Sequence, residues 1–170
     1  MLNFTNLKPN QMKKFQECEE RGEAAHIQFV QDYCAKYGVL AYQGKASESD
    51  DIHNHFDLIT YPHGNIDVKS RRYLKRRGEY ATDYIFEIKN VKGEKGWGYG
   101  MADNIAYEQE DCWHVVSLQS LQKLVAENNY EQHDRSQYDR EDLFVWIPAS
   151  DIEPIIIDSI PKTTLNQTKL

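Results

Sequence analysis

Residues 56–61 and 66–70 are two short strand-like runs separated by Pro62-His63-Gly64-Asn65, and apolar runs broken by such turn residues fold as a β-hairpin. If Pro62-His63-Gly64 forms the tip, Tyr61 faces Asn65, Ile59 faces Asp67 and Asp57 faces Lys69. Side chains alternate between the faces of a strand, so this register sends Asp57, Asp67 and Lys69 to the same side. Asp57 and Asp67 are then diagonal neighbours, about 7–8 Å apart at Cα and closer at the carboxylates. Two carboxylates at that spacing can share one Mg²⁺, a cation that takes hard oxygen ligands. A lysine beside them can orient or activate a water and offset charge on a phosphate.

The rest of the chain supplies a frame for this hairpin. Phe15, Cys18, Gly22, Ala25, Phe29, Tyr33 and Tyr37 recur at three- and four-residue steps before Gly38, which predicts a helix over 9–37 with a possible break at Gly22. Residues 39–42 fit a short strand and 45–54 a polar loop. Residues 83–91 alternate as a third strand, 92–100 form a glycine-rich aromatic loop, and 104–107 and 112–117 are two more strands. Leu118, Leu121, Leu124 and Val125 give a helical stripe, and 143–147 a last buried strand. One helix, a run of strands, then helix and strand is an α+β order with a mixed or antiparallel sheet. We expect a single domain over 1–160 and a tail over 161–170.

The net charge is −7, which argues against a protein that coats nucleic acid. From Lys69 to Arg77, however, the sequence reads K-S-R-R-Y-L-K-R-R; setting those six positive charges aside leaves −13 on the remainder. A basic strip on an acidic body attracts a polyanion to one place; a solvated basic loop is the plain alternative. Cys18, Cys34 and Cys112 are odd in number and widely spaced, which fits buried thiols in a reducing compartment, so a cytoplasmic protein is expected. No apolar run reaches the roughly 18 residues of a membrane span. His53 and His55 offer a His-x-His pair with His63 nearby, but no third spaced ligand accompanies them. Trp97 and Tyr99 suit either base stacking or a core plug.

Asp57, followed ten residues on by Asp67-Val68-Lys69, on a hairpin after an N-terminal helix, resembles the PD-(D/E)XK restriction-endonuclease-like nuclease superfamily. The resemblance covers roughly residues 15–125, and Phe56 stands where the motif has proline. It implies a three-layer α/β/α tendency, a mixed sheet with an N-terminal helix and a later crossover helix, and Mg²⁺- or Mn²⁺-dependent phosphodiester cleavage of DNA. Asp57 and Asp67 would hold the metal, Lys69 would position the attacking water, and Arg71, Arg72, Lys75, Arg76 and Arg77 would grip phosphates. The first helix often adds an acid in this family; Glu23 is the favoured candidate, with Glu19 second and Glu20 also possible. The size resembles phage-type or junction-resolving enzymes, which commonly act as dimers.

Two alternatives stay open. Glu87-Ile88-Lys89 is a second acid-x-lysine tripeptide; were it the reactive one, Asp67 would take the role of the first acid. A protein of this fold could also bind or inhibit without turnover, or act on RNA.

Overall fold

Helix α1, Pro9–Tyr37, runs through Gly22 without a break, as the continuous apolar stripe on either side of that glycine allows. The computed structural model describes residues 9–74, 78–134 and 141–163, with side chains from residue 20 onward. After α1 come a 3₁₀ turn at Val39–Ala41, strand β1 (Tyr42–Lys45), a π-type turn at Asp50–Asn54, β2 (Leu58–Thr60) and β3 (Gly64–Lys69). Residues 39–42, expected as strand, are thus mostly turn, and the polar segment after them carries helical turns instead of open loop.

Strands β4 (Tyr73–Leu74), β5 (Glu79–Tyr80) and β6 (Tyr84–Lys89) lead through a 3₁₀ turn at Trp97–Tyr99 to β7 (Asn104–Glu108) and β8 (Cys112–Ser117). Helix α2 (Leu118–Glu127), β9 (Gln132–Asp134), β10 (Leu143–Ile147), the short α3 (Ala149–Ile152) and β11 (Ile156–Pro161) complete the order. The main sheet has six strands in the order β1-β2-β3-β7-β8-β11; β6-β10-β9 form a second sheet and β4-β5 a separate ribbon. Among the described residues only β3 and β7 pair in parallel, Asp67 beside Ile105 and Lys69 beside Tyr107. The sheet is therefore mixed, and the fold α+β.

The two faces of the main sheet are covered differently. On one lies α1, whose Ala25, Phe29 and Tyr33 pack with Leu58, Ile66, Val68, Trp113, Val115 and Ile160. Phe29 and Tyr33 are fully buried, each burial favouring the fold by about 1.5–3 kcal/mol. The other face meets Phe86, Val145 and Ile147 of the second sheet, with Trp97 and Leu121. The third layer is thus the second sheet, with α2 packed against β7, β8 and the Trp97 turn, and not a layer of helices. A parallel pair needs a crossover; here the β4–β5 ribbon, β6 and the Trp97 turn provide it. The later helix expected from the 118–125 stripe is α2, and it follows β8.

The chain closes on itself through β11, which sequence patterning did not predict. It pairs antiparallel with β8, and Pro161, Lys162 and Thr163, counted above with the tail, are held in place. Lys162 Nζ lies 2.8 Å from Glu108 Oε1. Buried Asp32 of α1 accepts hydrogen bonds from Trp113 Nε1 (2.8 Å), Gln28 Nε2 (3.0 Å) and the Thr163 N–H (2.7 Å) and hydroxyl. Cys34 and Cys112 are half-buried free thiols. No helix among the described residues is long and apolar enough to cross a membrane.

Candidate active site

The hairpin that carries the acids closes one residue earlier than its turn chemistry suggested. Leu58 faces Ile66, Ile59 faces Asn65 and Thr60 faces Gly64, leaving Tyr61, Pro62 and His63 as the loop. Gly64 sits at φ +70, where glycine suffers no Cβ penalty, and the Thr60 hydroxyl donates to the Gly64 carbonyl at 2.9 Å. Every partner is displaced by two positions from the expected register. An even displacement keeps each side chain on its face, so the convergence of the three residues survives the slip.

Asp57 is reached from three directions. Its N–H donates to the Ile66 carbonyl at 2.8 Å, and its Oδ2 accepts from the Val68 N–H at 2.7 Å. His26 Nε2 lies 3.0 Å from the same oxygen. Burial opposes ionisation of Asp57, which is only 7% exposed. The His26 hydrogen bond, the Lys69 charge and the Val68 N–H outweigh that cost and hold the carboxyl down at about 2.

Asp67 has the opposite environment. It is 3% exposed, on the face away from Ile66 and Val68. Lys69 Nζ lies 2.7 Å from its Oδ2, at an orientation that leaves this oxygen without a formed hydrogen bond. Burial pushes the Asp67 carboxyl well above the usual carboxylate range; Lys69 opposes this and the Asp57 charge adds to it. For Lys69, desolvation is outweighed by Asp67 and Asp57, so its ammonium is held above the ordinary lysine range. The ammonium also sits 4.7 Å over the Trp97 ring, a favourable cation–π position.

The Trp97 turn reaches this position because glycines flank it. A Cβ on Gly96 would come within 2.6 Å of the Glu87 carbonyl oxygen, and one on Gly98 within 2.5 Å of the Phe86 ring. Trp97 is buried against Phe86 and Tyr107, as the core-plug reading expected, whereas Tyr99 is largely exposed.

Glu23 is exposed; the helix residue that meets Asp57 is His26. Each helical residue turns by about 100°. With Ala25 and Phe29 anchored in the core, residue 23 points about 200° from residue 25, while residue 26 flanks the buried stripe and reaches around it. Glu20 is exposed too, and the side chain of Glu19 lies outside the described residues. Asp51, in the π-type turn, was also missed. Partial desolvation and the Asp57 charge raise its carboxyl, with His26, Lys45 and Lys69 acting against them.

Glu87 belongs to the second sheet. It accepts a hydrogen bond from the Trp97 N–H at 3.3 Å and lies close enough to raise the Lys69 pKa, so it borders the site without sharing the hairpin. The histidines separate: His55 is pushed down by burial and by Lys69, while His63 pairs with Tyr33 and Asp158 at the hairpin tip. His53 is exposed.

In the basic strip, the Arg71 N–H donates to Glu108 Oε2 at 2.8 Å and its guanidinium lies 5.0 Å from the Tyr80 ring. Arg72 stacks near Phe144 and Trp146. Lys75, Arg76 and Arg77 lie outside the described residues.

Among the described residues no three His, Cys, Asp or Glu side chains form a metal cage. The donor set of Asp57 and Asp67, with one buried oxygen lacking a hydrogen bond, still fits Mg²⁺, which is commonly held by one or two carboxylates and completes its shell with water. No protein-family model, curated protein or solved structure matches the chain.

Proposed function

We propose that this protein is a metal-dependent DNA nuclease that hydrolyses phosphodiester bonds at Asp57, Asp67 and Lys69. The observation that carries the reading is the meeting of two buried carboxylates and an ammonium, Asp67 and Lys69 on β3 and Asp57 just before β2, with Lys69 Nζ 2.7 Å from Asp67. Strand β3 lies between antiparallel β2 and parallel β7, an arrangement in keeping with a restriction-endonuclease-like mixed sheet.

Asp57 and Asp67 would hold Mg²⁺ or Mn²⁺. The bound cation would supply charge neutralisation and polarisation at the scissile phosphate. Between two carboxylates, Lys69 keeps its proton at neutral pH, so it serves as hydrogen-bond donor and fixed positive charge, not as a general base. His26 fixes the Asp57 carboxylate through the contact at 3.0 Å.

Purified protein incubated with plasmid, linear, branched and single-stranded DNA should cut only with Mg²⁺ or Mn²⁺. Lys69→Ala should lower single-turnover cleavage by about 100-fold or more, yet keep a Mg²⁺-induced rise in melting temperature, since lysine is not a ligand. Undiminished cutting by Lys69→Ala would remove the lysine from the chemistry.

The low exposure of Asp57 and Asp67 favours one second reading, a protein of this fold that binds without turnover. It requires that no substrate be cut under any metal. An RNA substrate on the same site is separated by running RNA beside DNA in the same assay.

A further inference from the structure

Arg71, two residues beyond Lys69 in the chain, and Ala25, the neighbour of His26, line an open cleft of about 1020 Å³ between α1, the β4–β5 ribbon and the β7–β8 turn. A cleft of this size is at the upper end of small-molecule sites and has room for a nucleotide. Arg71 and Tyr80 line it. The ribbon above presents two aromatic rings to solvent, Tyr73 at 41% and Tyr80 at 47% exposure, 5.1 Å apart and edge to face. Tyr80 keeps that exposure although the Arg71 guanidinium already lies 5.0 Å from its ring, so area for a further planar partner remains. The buried Nε of Arg71 has no hydrogen-bond acceptor among the described residues.

Charge decides what such a cleft takes. Glu79, Glu108, Glu110 and Asp111 outnumber the lining cations Arg21, Arg71 and Lys162, and two of these are already engaged, Lys162 with Glu108 at 2.8 Å and Arg71 with Glu110 at 3.5 Å. A phosphate on this floor would meet carboxylates. A neutral base would instead find a ring to stack on, together with amide, hydroxyl and carboxylate groups from Gln28, Thr82 and the acidic turn. Base faces are open for stacking only when a nucleotide is unpaired.

Resting on the nuclease reading above, we propose that this cleft receives the base of an unpaired nucleotide, stacked on Tyr80 beside Arg71. The substrate is then single-stranded DNA, or a single-stranded segment of a branched molecule, and not intact duplex. Arg71, two residues along the chain from Lys69, links the cleft to the strand that carries the site.

The test is fluorescence anisotropy in EDTA, where nothing is cut, using a labelled 12-nucleotide single strand and a blunt duplex of the same length. Wild type should bind the single strand at least about tenfold more tightly. Tyr80→Ala should weaken single-strand binding by about tenfold, in line with one lost base–aromatic stack, and change duplex binding less than about twofold. Tyr80→Phe should keep single-strand binding within about threefold, and unchanged melting temperatures in both variants would show that folding is intact.

Equal affinity for the two DNAs, or no effect of Tyr80→Ala, overturns the proposal. So does a Phe variant as weak as Ala, which would assign the effect to the hydroxyl. The two readings fail separately. Mg²⁺-dependent cutting without single-strand preference overturns the cleft alone, whereas Tyr80-dependent binding without cutting under any metal overturns the nuclease and leaves the cleft as a binding site.

Discussion

Asp67→Asn should reduce Mg²⁺-dependent cleavage by about a thousandfold or more, a loss of about 4 kcal/mol of transition-state stabilisation. In chelator it should nevertheless melt no lower than wild type. The second result is the less intuitive, because Lys69 Nζ lies 2.7 Å from this carboxyl and removing one member of a buried pair usually costs stability. Here burial raises the Asp67 pKa against the opposing Lys69 charge, with Asp57 adding to the rise. Asparagine has the shape of the protonated acid, and Lys69 retains Asp57 as a neighbouring negative charge.

The sign follows from linkage. A carboxyl whose folded pKa lies above its unfolded value contributes stability that is complete below the unfolded value of 3.8 and is lost as pH rises through the folded pKa. The variant should therefore gain relative to wild type as pH rises. With Mg²⁺ the order should reverse, since a cation that binds only the native site stabilises only the protein able to hold it. Melting curves in EDTA and in Mg²⁺ across pH, with a cleavage assay on single-stranded, branched and plasmid DNA, check all three statements. A variant that still cuts while Glu87→Gln does not would move the chemistry to the neighbouring tripeptide.

Asp32→Ala should destabilise the fold by about 3 kcal/mol. The carboxylate gathers donors from three elements, including Trp113 Nε1 and both polar groups of Thr163. Deleting it leaves these donors without an acceptor, and each buried unsatisfied group costs about 1–3 kcal/mol, less where water can enter. Urea denaturation should show a lower midpoint at unchanged slope. Asp32→Asn keeps one acceptor oxygen and should lose less than half as much. A shift under about 1 kcal/mol in the alanine variant would mean that the cluster adds little to stability.

The elements that sequence made legible are those whose signal is local. A helical stripe as long as Ala25, Phe29 and Tyr33 admits one reading, and it placed α1 on the sheet. The alternation around Asp67 and Lys69 fixed their common face, which no even slip of register can undo. The register itself depended on whether the loop began at residue 61 or 62, a choice made by the Gly64 backbone and the Thr60 hydroxyl.

His26 was missed because the search along the helix was for an acid, although a histidine next to buried Ala25 is well placed to reach around the stripe. Strand β11 opens on Ile156-Ile157, preceded by Ile155 and interrupted by Asp158 and Ser159. It becomes a strand only because β8, some 40–49 residues earlier, offers it an edge. The path from β3 to β7 was legible only in part: a glycine-rich loop was expected over 92–100, but not that Gly96 and Gly98 let its Trp97 turn lie flat on β6.

The clasp between Asp32 and Thr163 spans 131 residues, and this has a consequence for synthesis. A ribosome makes about 5–20 residues per second, so roughly 7–26 s separate the two partners as the chain emerges. Throughout that interval α1 is outside the tunnel with its apolar stripe uncovered, first waiting for β3 and β7, then for β8, and last for β11. Stalled nascent chains that expose α1 through β10 should remain open to protease, and resistance should arise only when Thr163 has cleared the exit. Because the Asp32 cluster on α1 is completed only by Thr163, this domain closes after its last strand has emerged, and until then α1 is a ready-made site for a chaperone that binds exposed apolar helices.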